Sequence, residues 1–283
     1  MSQPKATFIK VPATPGYEQT QPVEPERRLA DSEIRIDFCT EQDIDKIAEG
    51  LYAIFPTVFW DKKEPLHLRP DDPTRQRLLA KRLLPSLTEP DIKWIKAVSS
   101  AGEIMGVACW TAPGAPIDNY LHRSAVSSYH WQEKMNWTDA EIDEMWAHVS
   151  DEQWNGEIRR YDEIRREVLG DEPHWFLAPL MTWPEFQGRG VGKKLLLWAM
   201  EQADATTPPT PMYLESAPTA RAVYMHCGFV PTGKVNMVRR GPAVVEGLEL
   251  EQDGEKKLEA LEKAEEVSVE SVAQEMEADM VGR

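Results

Sequence analysis

The sequence predicts an α/β fold, in which a sheet is flanked by helices, and three observations lead to this prediction. Residues 34–38 alternate apolar and polar side chains, and they precede a segment, 44–54, with apolar residues at helical spacing. Two further apolar segments, 92–98 and 103–110, flank a short turn, and a third, 175–183, leads through a glycine-rich turn into a helix. Strands and helices therefore alternate along one domain.

The first helix has a start signal, and the segments after it have signals of their own. Thr40 and Asp43 stand at the spacing of a capping box. A proline-rich connection over residues 65–73 leads to a second helix, which is predicted over residues 74–84. The turn at residues 99–102 consists of small residues and joins two strand-like segments, which predicts a hairpin.

The glycine-rich turn is the most informative part of the chain. It contains Gly188, Gly190 and Gly192, and Lys193 follows in the first turn of the predicted helix. Glycines let the backbone turn tightly and approach a ligand, and a helix start presents unpaired N–H groups with a partial positive charge. The turn is therefore predicted to bind phosphate, and the alternative is a plain structural turn.

Two common phosphate-binding patterns do not fit this turn. A Walker loop requires a glycine where the chain has Gln187, and Ser or Thr where it has Lys194. The dinucleotide fingerprint requires a third glycine where the chain has Lys193 or Leu195. The pattern that does fit is Gln-x-x-Gly-x-Gly.

A second motif lies downstream of the turn. Residues 212–216 predict a short strand, and residues 218–227 predict a helix that begins with proline and ends at Gly228. Tyr224 and Phe229 complete the pattern Tyr-x-x-x-Gly-Phe around that glycine. The two motifs, in this order, resemble the coenzyme A loop and the following strand and helix of the GCN5-related N-acetyltransferases, the GNAT superfamily.

The resemblance implies a GNAT-type fold, a mixed and mostly antiparallel central sheet flanked by helices. The domain is predicted over residues 33–240, with closing strands at residues 228–230 and 235–238. One departure is an insertion over residues 113–172, where the family usually has a short connection. Two or three helices are predicted there, either as a lid that forms an acceptor pocket or as a small packed subdomain. Four tryptophans mark this insertion: Trp131, Trp137, Trp146 and Trp154.

The two ends of the chain differ from the domain in composition. Residues 1–32 are polar and proline-rich without periodicity, which predicts a disordered N-terminal tail and excludes a secretory signal. Residues 241–283 contain 13 acidic and 4 basic residues, which predicts a solvated acidic C-terminal tail. Apolar residues at roughly helical spacing leave open a helix there, including one that binds a partner.

Composition and charge exclude several classes of protein. The formal net charge is −16 and no basic patch stands out, which argues against a nucleic-acid partner. No apolar run is long enough to span a bilayer, so no membrane partner is predicted. Three cysteines without a paired spacing favour a reduced, cytoplasmic location, with the nucleus left open. The six histidines are scattered, and no metal is predicted.

The resemblance implies acetyl-CoA as the cosubstrate, and it assigns residues to bind it. Backbone N–H groups of the strand that ends with Leu180, Met181 and Thr182 would hold the pantetheine arm. Pro179 interrupts this strand, which is tolerable because the family has a bulge there. Many family members have an asparagine where this chain has Ala217, so one side-chain contact is in doubt. The loop that would cradle the pyrophosphate comprises Gln187, Gly188, Arg189, Gly190, Val191, Gly192 and Lys193.

Three side chains are candidates for the chemistry of acetyl transfer. Tyr224 matches the family's tyrosine that protonates the leaving thiolate, and a phenol keeps its proton at neutral pH. The alternative is a core tyrosine packed on Phe229. Glu215, at the end of its strand, and His174, just before the preceding strand, are candidate bases. Either could instead be purely structural.

The predicted function is an N-acetyltransferase that moves an acetyl group from acetyl-CoA to an amine by direct attack in a ternary complex. The helical insertion suggests an enclosed pocket, which favours a small-molecule acceptor over a histone tail. The alternative is a non-catalytic protein of the same fold that binds acyl-CoA or a protein partner.

Overall fold

A computed structural model of the 283-residue chain describes residues 28–217, 220–233 and 235–242. Within these residues seven strands form one sheet, and they lie side by side in the order first, second, third, fourth, fifth, seventh, sixth. In chain order the strands are β1 Arg35–Phe38, β2 Ile92–Val98, β3 Ile104–Thr111, β4 Trp175–Thr182, β5 Met212–Glu215, β6 Val230–Pro231 and β7 Asn236–Arg239. Only β4 and β5 pair in parallel. The sheet is therefore mixed and mostly antiparallel, as predicted.

Nine α-helices lie within the described residues and surround this sheet. The predicted capping box is present just before the first of them. In it the Asp43 carboxylate accepts the Thr40 N–H at 2.7 Å. The helices are α1 Ile44–Ile54, α2 Thr57–Lys63, α3 Asp72–Leu83, α4 Ala125–Ser128, α5 Trp131–Lys134, α6 Asp139–Trp146, α7 Glu157–Leu169, α8 Val191–Asp204 and α9 Arg221–His226.

Helices cover β4 on both faces. Successive side chains of β4 point to opposite faces, so neighbouring residues contact different helices. A Cβ atom on Gly50 of α1 would lie 3.0 Å from the Met181 side chain. A Cβ atom on Gly192 of α8 would lie 3.6 Å from both Leu180 and Thr182. Because successive side chains of a strand point to opposite faces, α1 and α8 lie on opposite sides of the sheet.

The second and third helices differ from the sequence-based expectation. The pattern does not predict α2, because Val58 and Trp60 belong to residue types with modest helix propensity. The helix predicted over residues 74–84 begins earlier, at Asp72. Its true start is set by Asp71, whose carboxylate accepts the Thr74 N–H at 2.7 Å and caps the helix.

The insertion between β3 and β4 is helical, as predicted, but it has four α-helices where two or three are expected. Two of them, α4 and α5, have only four residues each, which is too short for a periodic pattern. A π-helical turn at Glu152–Gly156 leads directly into α7. The four tryptophans are all buried, as expected for a packed subdomain: Trp131, Trp137, Trp146 and Trp154.

The two predicted tails lie mostly outside the described residues. Of residues 1–32, only 28–32 are described, so the predicted N-terminal tail lies almost entirely outside the described residues. Asp31–Glu33 forms a 3-10 turn in which the Glu33 carboxylate accepts the Ala30 N–H at 2.7 Å. The predicted acidic tail over residues 241–283 is described only at Gly241 and Pro242.

Gly106 of β3 occupies a position without room for a side chain. A Cβ atom there would lie 2.8 Å from the backbone oxygen of Met181 and 3.0 Å from the Val191 side chain of α8. We expect Gly106→Ala to lower the free energy of unfolding by about 1–3 kcal/mol, because the backbone must shift to admit the methyl group.

Gly156→Ala is the matched control, because its Cβ atom would meet nothing closer than 3.9 Å. Chemical denaturation of both variants measures the difference. Equal stability of the two variants would contradict the close packing of β3 against β4 and α8.

Candidate active site

The glycine-rich turn lies directly between β4 and α8. Gly188 and Gly190 have φ angles of 70° and 94°, which are strained for residues that carry a Cβ atom. Gly190 is the N-cap residue of α8, and it offers no side chain to bond the N–H groups of the first helical turn. These N–H groups are therefore left for an external acceptor such as a phosphate.

Gln187 holds the turn in shape. Its side-chain Nε2 donates a hydrogen bond to the backbone oxygen of Thr182 at 3.0 Å. This contact joins the end of β4 to the start of the glycine-rich segment. The Gln187 side chain therefore stabilises the conformation of the glycine-rich turn through its bond to the end of β4.

The segment before β1 lies against the same turn. The Leu29 N–H donates to the Arg189 backbone oxygen at 3.0 Å, and the Asp31 carboxylate pairs with Lys194 at 2.8 Å. The sequence does not predict this contact, because the two segments are distant along the chain. One lysine at the start of α8 is thus already paired with a carboxylate, whereas Lys193 lies beside it in the first turn.

β4 has the bulge that the resemblance implies. Leu180 pairs with Ala108 of β3 whereas Leu177 pairs with Trp110, so β4 has one residue more than β3 in this interval. The bulge lies at Ala178 and Pro179, between the paired residues Leu177 and Leu180. Parallel pairing with β5 ends at Leu177, so beyond this point β4 is paired with β3 but not with β5. The second half of β4, including Leu180, Met181 and Thr182, therefore has one backbone edge without a strand partner among the described residues.

Glu215 ends β5 next to charged side chains from the insertion. Burial raises the pKa of Glu215 to about 7, opposed by the Arg165 guanidinium and reinforced by the Asp162 carboxylate. Its Oε1 atom is buried and has no hydrogen-bond partner among the described residues. Arg165 donates to Asp162 at 3.1 Å and lies 3.9 Å from the centre of the Phe176 ring. A carboxyl group that titrates near neutral pH and has a free oxygen is suited to accept a proton.

His174 lies just before β4, at the end of the strand opposite to the glycine-rich turn. Its Nδ1 atom is 2.7 Å from the backbone oxygen of Glu172, and burial lowers its pKa. Leu214 of β5 pairs with Leu177, so Glu215 is level with the bulge at Ala178. His174 is four residues before that level, roughly 13 Å along an extended strand. The structure thus brings Glu215, but not His174, to the bulge.

Tyr224 lies in α9 and is buried. Its ring makes an edge contact with Phe229, with 5.9 Å between the ring centres. Burial raises the pKa of Tyr224 above its ordinary value, so the phenol keeps its proton at neutral pH. Both hypotheses for Tyr224, a proton donor and a core tyrosine, are compatible with this packing.

Sequence reasoning misses three residues near the bulge. The Tyr120 hydroxyl donates to the backbone oxygen of Ala178, and Asp162 and Arg165 lie beside Glu215. A signal for the last two exists, because α7 has a buried stripe at helical spacing that includes charged residues. The stripe consists of Ile158, Asp162, Arg165 and Leu169.

The raised pKa of Glu215 makes folding stability depend on pH. The pKa is about 7 in the folded state against 4.5 ordinarily, so the folded state binds more protons between these values. Stability therefore falls as the pH rises through this window. We expect Glu215→Gln to remove this component, so that its stability relative to the wild type is higher at about pH 8 than at about pH 5.

Glu172→Gln is the matched control, because Glu172 is 41% exposed and pairs with Arg240 on the surface. Denaturant unfolding at the two pH values measures the slopes. If Glu215→Gln and Glu172→Gln lose stability alike over this range, Glu215 does not have the raised pKa.

Two kinds of site are not found in the part of the chain that the structure describes. None of its helices combines the length and the apolar character needed to cross a membrane. Over the same residues, no group of three or more His, Cys, Asp or Glu side chains is placed to hold a metal ion.

Comparison with known families gives one match. Residues 117–246, which include β4, the glycine-rich turn, Glu215 and Tyr224, match the family described as "Acetyltransferase (GNAT) domain". A search of curated proteins gives no match.

Solved acetyltransferase structures are similar to this chain at low sequence identity. One is described as histone acetyltransferase HPA2 and related acetyltransferase from Corynebacterium glutamicum. It is 21% identical, with 75% of this chain and 98% of that chain covered and a TM-score of 0.44. Arylalkylamine N-acetyltransferase 2 from Aedes aegypti is 19% identical, with coverages of 70% and 83% and a TM-score of 0.41. An N-acetyltransferase from Staphylococcus aureus is 14% identical, with coverages of 72% and 98% and a TM-score of 0.45.

Proposed function

Because the chain carries an acetyltransferase domain of the GNAT superfamily over residues 117–246, we propose that it transfers an acetyl group from acetyl-CoA to the amine of a small molecule. The observation that carries the proposal is the turn before α8, where Gly188 and Gly190 leave the first helical N–H groups open. The end of β4–β5 pairing at Leu177 supports it, because a groove between the strands would lead from this turn towards Glu215.

Acetyl-CoA would bind along β4 and the glycine-rich turn. The N–H groups at the start of α8 would bind the pyrophosphate, with Arg189 and Lys193 adding positive charge. The pantetheine arm would bind to the free backbone edge of β4 between Leu180 and Thr182, in the way that an added strand binds a sheet edge. Most of these contacts are made by the backbone, so Ala217 in place of the family's asparagine removes only one contact.

The proposed reaction is a direct attack in a ternary complex. Glu215 takes one proton from the acceptor's ammonium group, and the free amine nitrogen bonds to the thioester carbonyl carbon. The carbon–sulfur bond breaks, and Tyr224 gives a proton to the departing thiolate. The second proton of the nitrogen passes to the Tyr224 oxygen and restores the phenol. The products are the acetylated amine and the free thiol of CoA, with one proton left on Glu215. A pKa of about 7 suits Glu215 to this role at neutral pH.

We assign the base to Glu215 rather than His174 because of position. Glu215 is level with the β4 bulge, and it has a buried oxygen without a partner in the described residues. His174 lies at the far end of β4, with Nδ1 bonded to a backbone oxygen.

The insertion supports a small-molecule acceptor. Its helices pack against α2 and α3, with contacts such as Lys81 to Glu141 at 2.8 Å and the Ser150 N–H to the Lys63 oxygen at 2.8 Å. Tyr120 of the insertion reaches the β4 bulge itself. These contacts would wall off the acceptor side of the bulge, which suits an enclosed ligand better than an extended peptide.

The acetyl-CoA site is tested by calorimetric titration of the full chain. We expect one-to-one binding with a Kd on the order of micromolar, and a Kd at least about 10-fold weaker for Gly190→Asp, because a carboxylate repels the pyrophosphate. A Cβ atom at Gly190 meets nothing within 4 Å, so the loop has room for the new side chain.

Gly190→Asn is the matched control, because it has the same shape and the same positive φ without the charge. Equal binding by Gly190→Asp and Gly190→Asn would show that no phosphate lies at this turn. A folded wild-type chain that binds no acetyl-CoA would overturn the proposed function.

Tyr224→Phe tests the chemistry separately from binding. We expect turnover, measured by thiol release with a panel of small amines, to fall roughly 100-fold, because the leaving sulfur loses its proton donor. The Kd for acetyl-CoA should stay near the wild-type value.

Tyr129→Phe is the matched control, because the Tyr129 hydroxyl bonds to the Asp118 backbone within the insertion, at 3.2 Å. Unchanged turnover in Tyr224→Phe would refute the assigned role of this tyrosine. Tight acetyl-CoA binding without turnover by the wild type, over the whole amine panel, would favour a non-catalytic acyl-CoA-binding protein.

A further inference from the structure

A small cavity lies between α3 and the insertion. Its volume is about 10 Å³, which is roughly the room that one water molecule requires. Its wall is mainly apolar and includes Tyr120 and the four tryptophans of the insertion. Arg82 and His122 also line it. Two polar residues, Arg82 and His122, therefore line a cavity whose wall is otherwise largely apolar.

Arg82 is the charged group of this cavity, and its hydrogen bonds are missing. It is only 5% exposed, and its guanidinium lies 4.7 Å from the ring centre of Trp146 and 4.9 Å from that of Trp154. None of its three nitrogens has a hydrogen-bond partner in the described residues. The Glu64 carboxylate that pairs with it is 3.7 Å away, too far for a hydrogen bond, and that oxygen already accepts from Tyr52.

Two other residues of the cavity wall have unused donors. His122 Nδ1 accepts the Ser124 N–H at 3.0 Å, so in the neutral ring the proton is on Nε2. This Nε2 atom is buried and has no partner in the described residues. The indole nitrogen of Trp146, which can only donate, is also buried and unpaired there. The unpaired polar side-chain atoms on the described wall are therefore all donors.

The unpaired polar side-chain atoms of the described wall are hydrogen-bond donors, so they favour a ligand that accepts hydrogen bonds and does not need to donate any. A water molecule accepts hydrogen bonds but must also donate two, and the unpaired side-chain atoms of the described wall offer no acceptor for them. A small anion accepts from every donor and offsets a guanidinium charge that is costly to bury without full pairing. We propose that this cavity binds a small monovalent anion, held by Arg82, His122 and Trp146.

The anion has two sources that share this chemistry, a free inorganic ion and the carboxylate of the acceptor molecule. Tyr120 connects the cavity with the proposed reaction centre, because it lines the cavity and its hydroxyl bonds to Ala178 in the β4 bulge. The second source rests on the proposed function, and it requires the cavity wall to open for the rest of the acceptor.

Tryptophan fluorescence of the full chain, titrated with sodium bromide, tests the anion site. A bulky sulfonate salt holds the ionic strength constant. We expect saturable quenching, because bromide would bind among the tryptophans of the insertion. Arg82→Met should lose the saturable phase and keep only weak, linear quenching. Arg77→Met is the matched control, because Arg77 is on the same helix, 58% exposed, and should keep it.

Two results overturn the site: linear quenching in the wild type, or a saturable phase that Arg82→Met retains. If Arg82→Met does not fold, Trp146→Phe replaces it, since it keeps an aromatic ring and removes one donor. We then expect bromide to bind roughly 5-fold more weakly, the effect of one lost hydrogen bond. Unchanged bromide affinity in that variant overturns the proposal.

Acetyl transfer to matched amines distinguishes the two sources. Each pair consists of an amino acid and the amine that lacks its carboxylate, such as tryptophan and tryptamine. A KM at least about 10-fold lower for the acid, with competition by bromide, identifies the acceptor carboxylate as the ligand. Equal KM values without competition identify a free ion. The bromide titration uses no acetyl-CoA, so its result does not depend on whether the chain transfers acetyl groups.

Discussion

The early end of pairing between β4 and β5 is the constraint on which the site depends. Pro179 has no N–H to donate, so β4 cannot continue a regular ladder through this point, and a bulge takes up the extra residue. Past the bulge, within the described part of the chain, β4 is hydrogen-bonded to β3 and its other edge has no strand partner. Glu215 comes to lie at the break because β5 ends there, and Tyr120 is fixed to the freed Ala178 oxygen. One interruption of the sheet therefore brings together a candidate base, the proposed acceptor wall and the proposed acetyl-CoA edge.

Close packing of α8 holds the second half of the site in place. Gly106 lets β3 approach β4 and α8, while Gly192 lets the first turn of α8 contact Leu180 and Thr182. Because that turn is pressed onto β4, its open N–H groups face a fixed position relative to the free strand edge. Asp31 enters the same region and pairs with Lys194, so a carboxylate from a segment far away in sequence lies beside the first turn of α8.

Features that depend on neighbouring residues can be predicted from the sequence. Features that depend on burial by segments distant along the chain cannot. The positive φ angles of the glycine-rich turn, the capping box before α1 and the hairpin of β2 and β3 each depend on neighbouring residues, and the structure contains all three. Helix α2 depends instead on tertiary packing: Trp60, buried against Trp154 of the insertion, outweighs its modest propensity. Arg82 resembles an ordinary surface residue in sequence, and only the fold shows that it is buried.

The two buried arginines differ in a way that separates their roles. Replacing buried ion pairs by well-packed apolar residues is often neutral for stability, so burying a guanidinium needs another explanation. Arg165 donates to Asp162, lies on Phe176 and opposes the rise in the pKa of Glu215, so it acts on a carboxyl group already present. Arg82 has two indole rings and a carboxylate beyond hydrogen-bond reach, and its donors are unused within the described residues. Arg165 is therefore partly paired within the protein, whereas Arg82 is the residue for which an anion is proposed. The insertion contributes to the candidate site through Arg165 and Tyr120, and it encloses Arg82 in the proposed anion cavity.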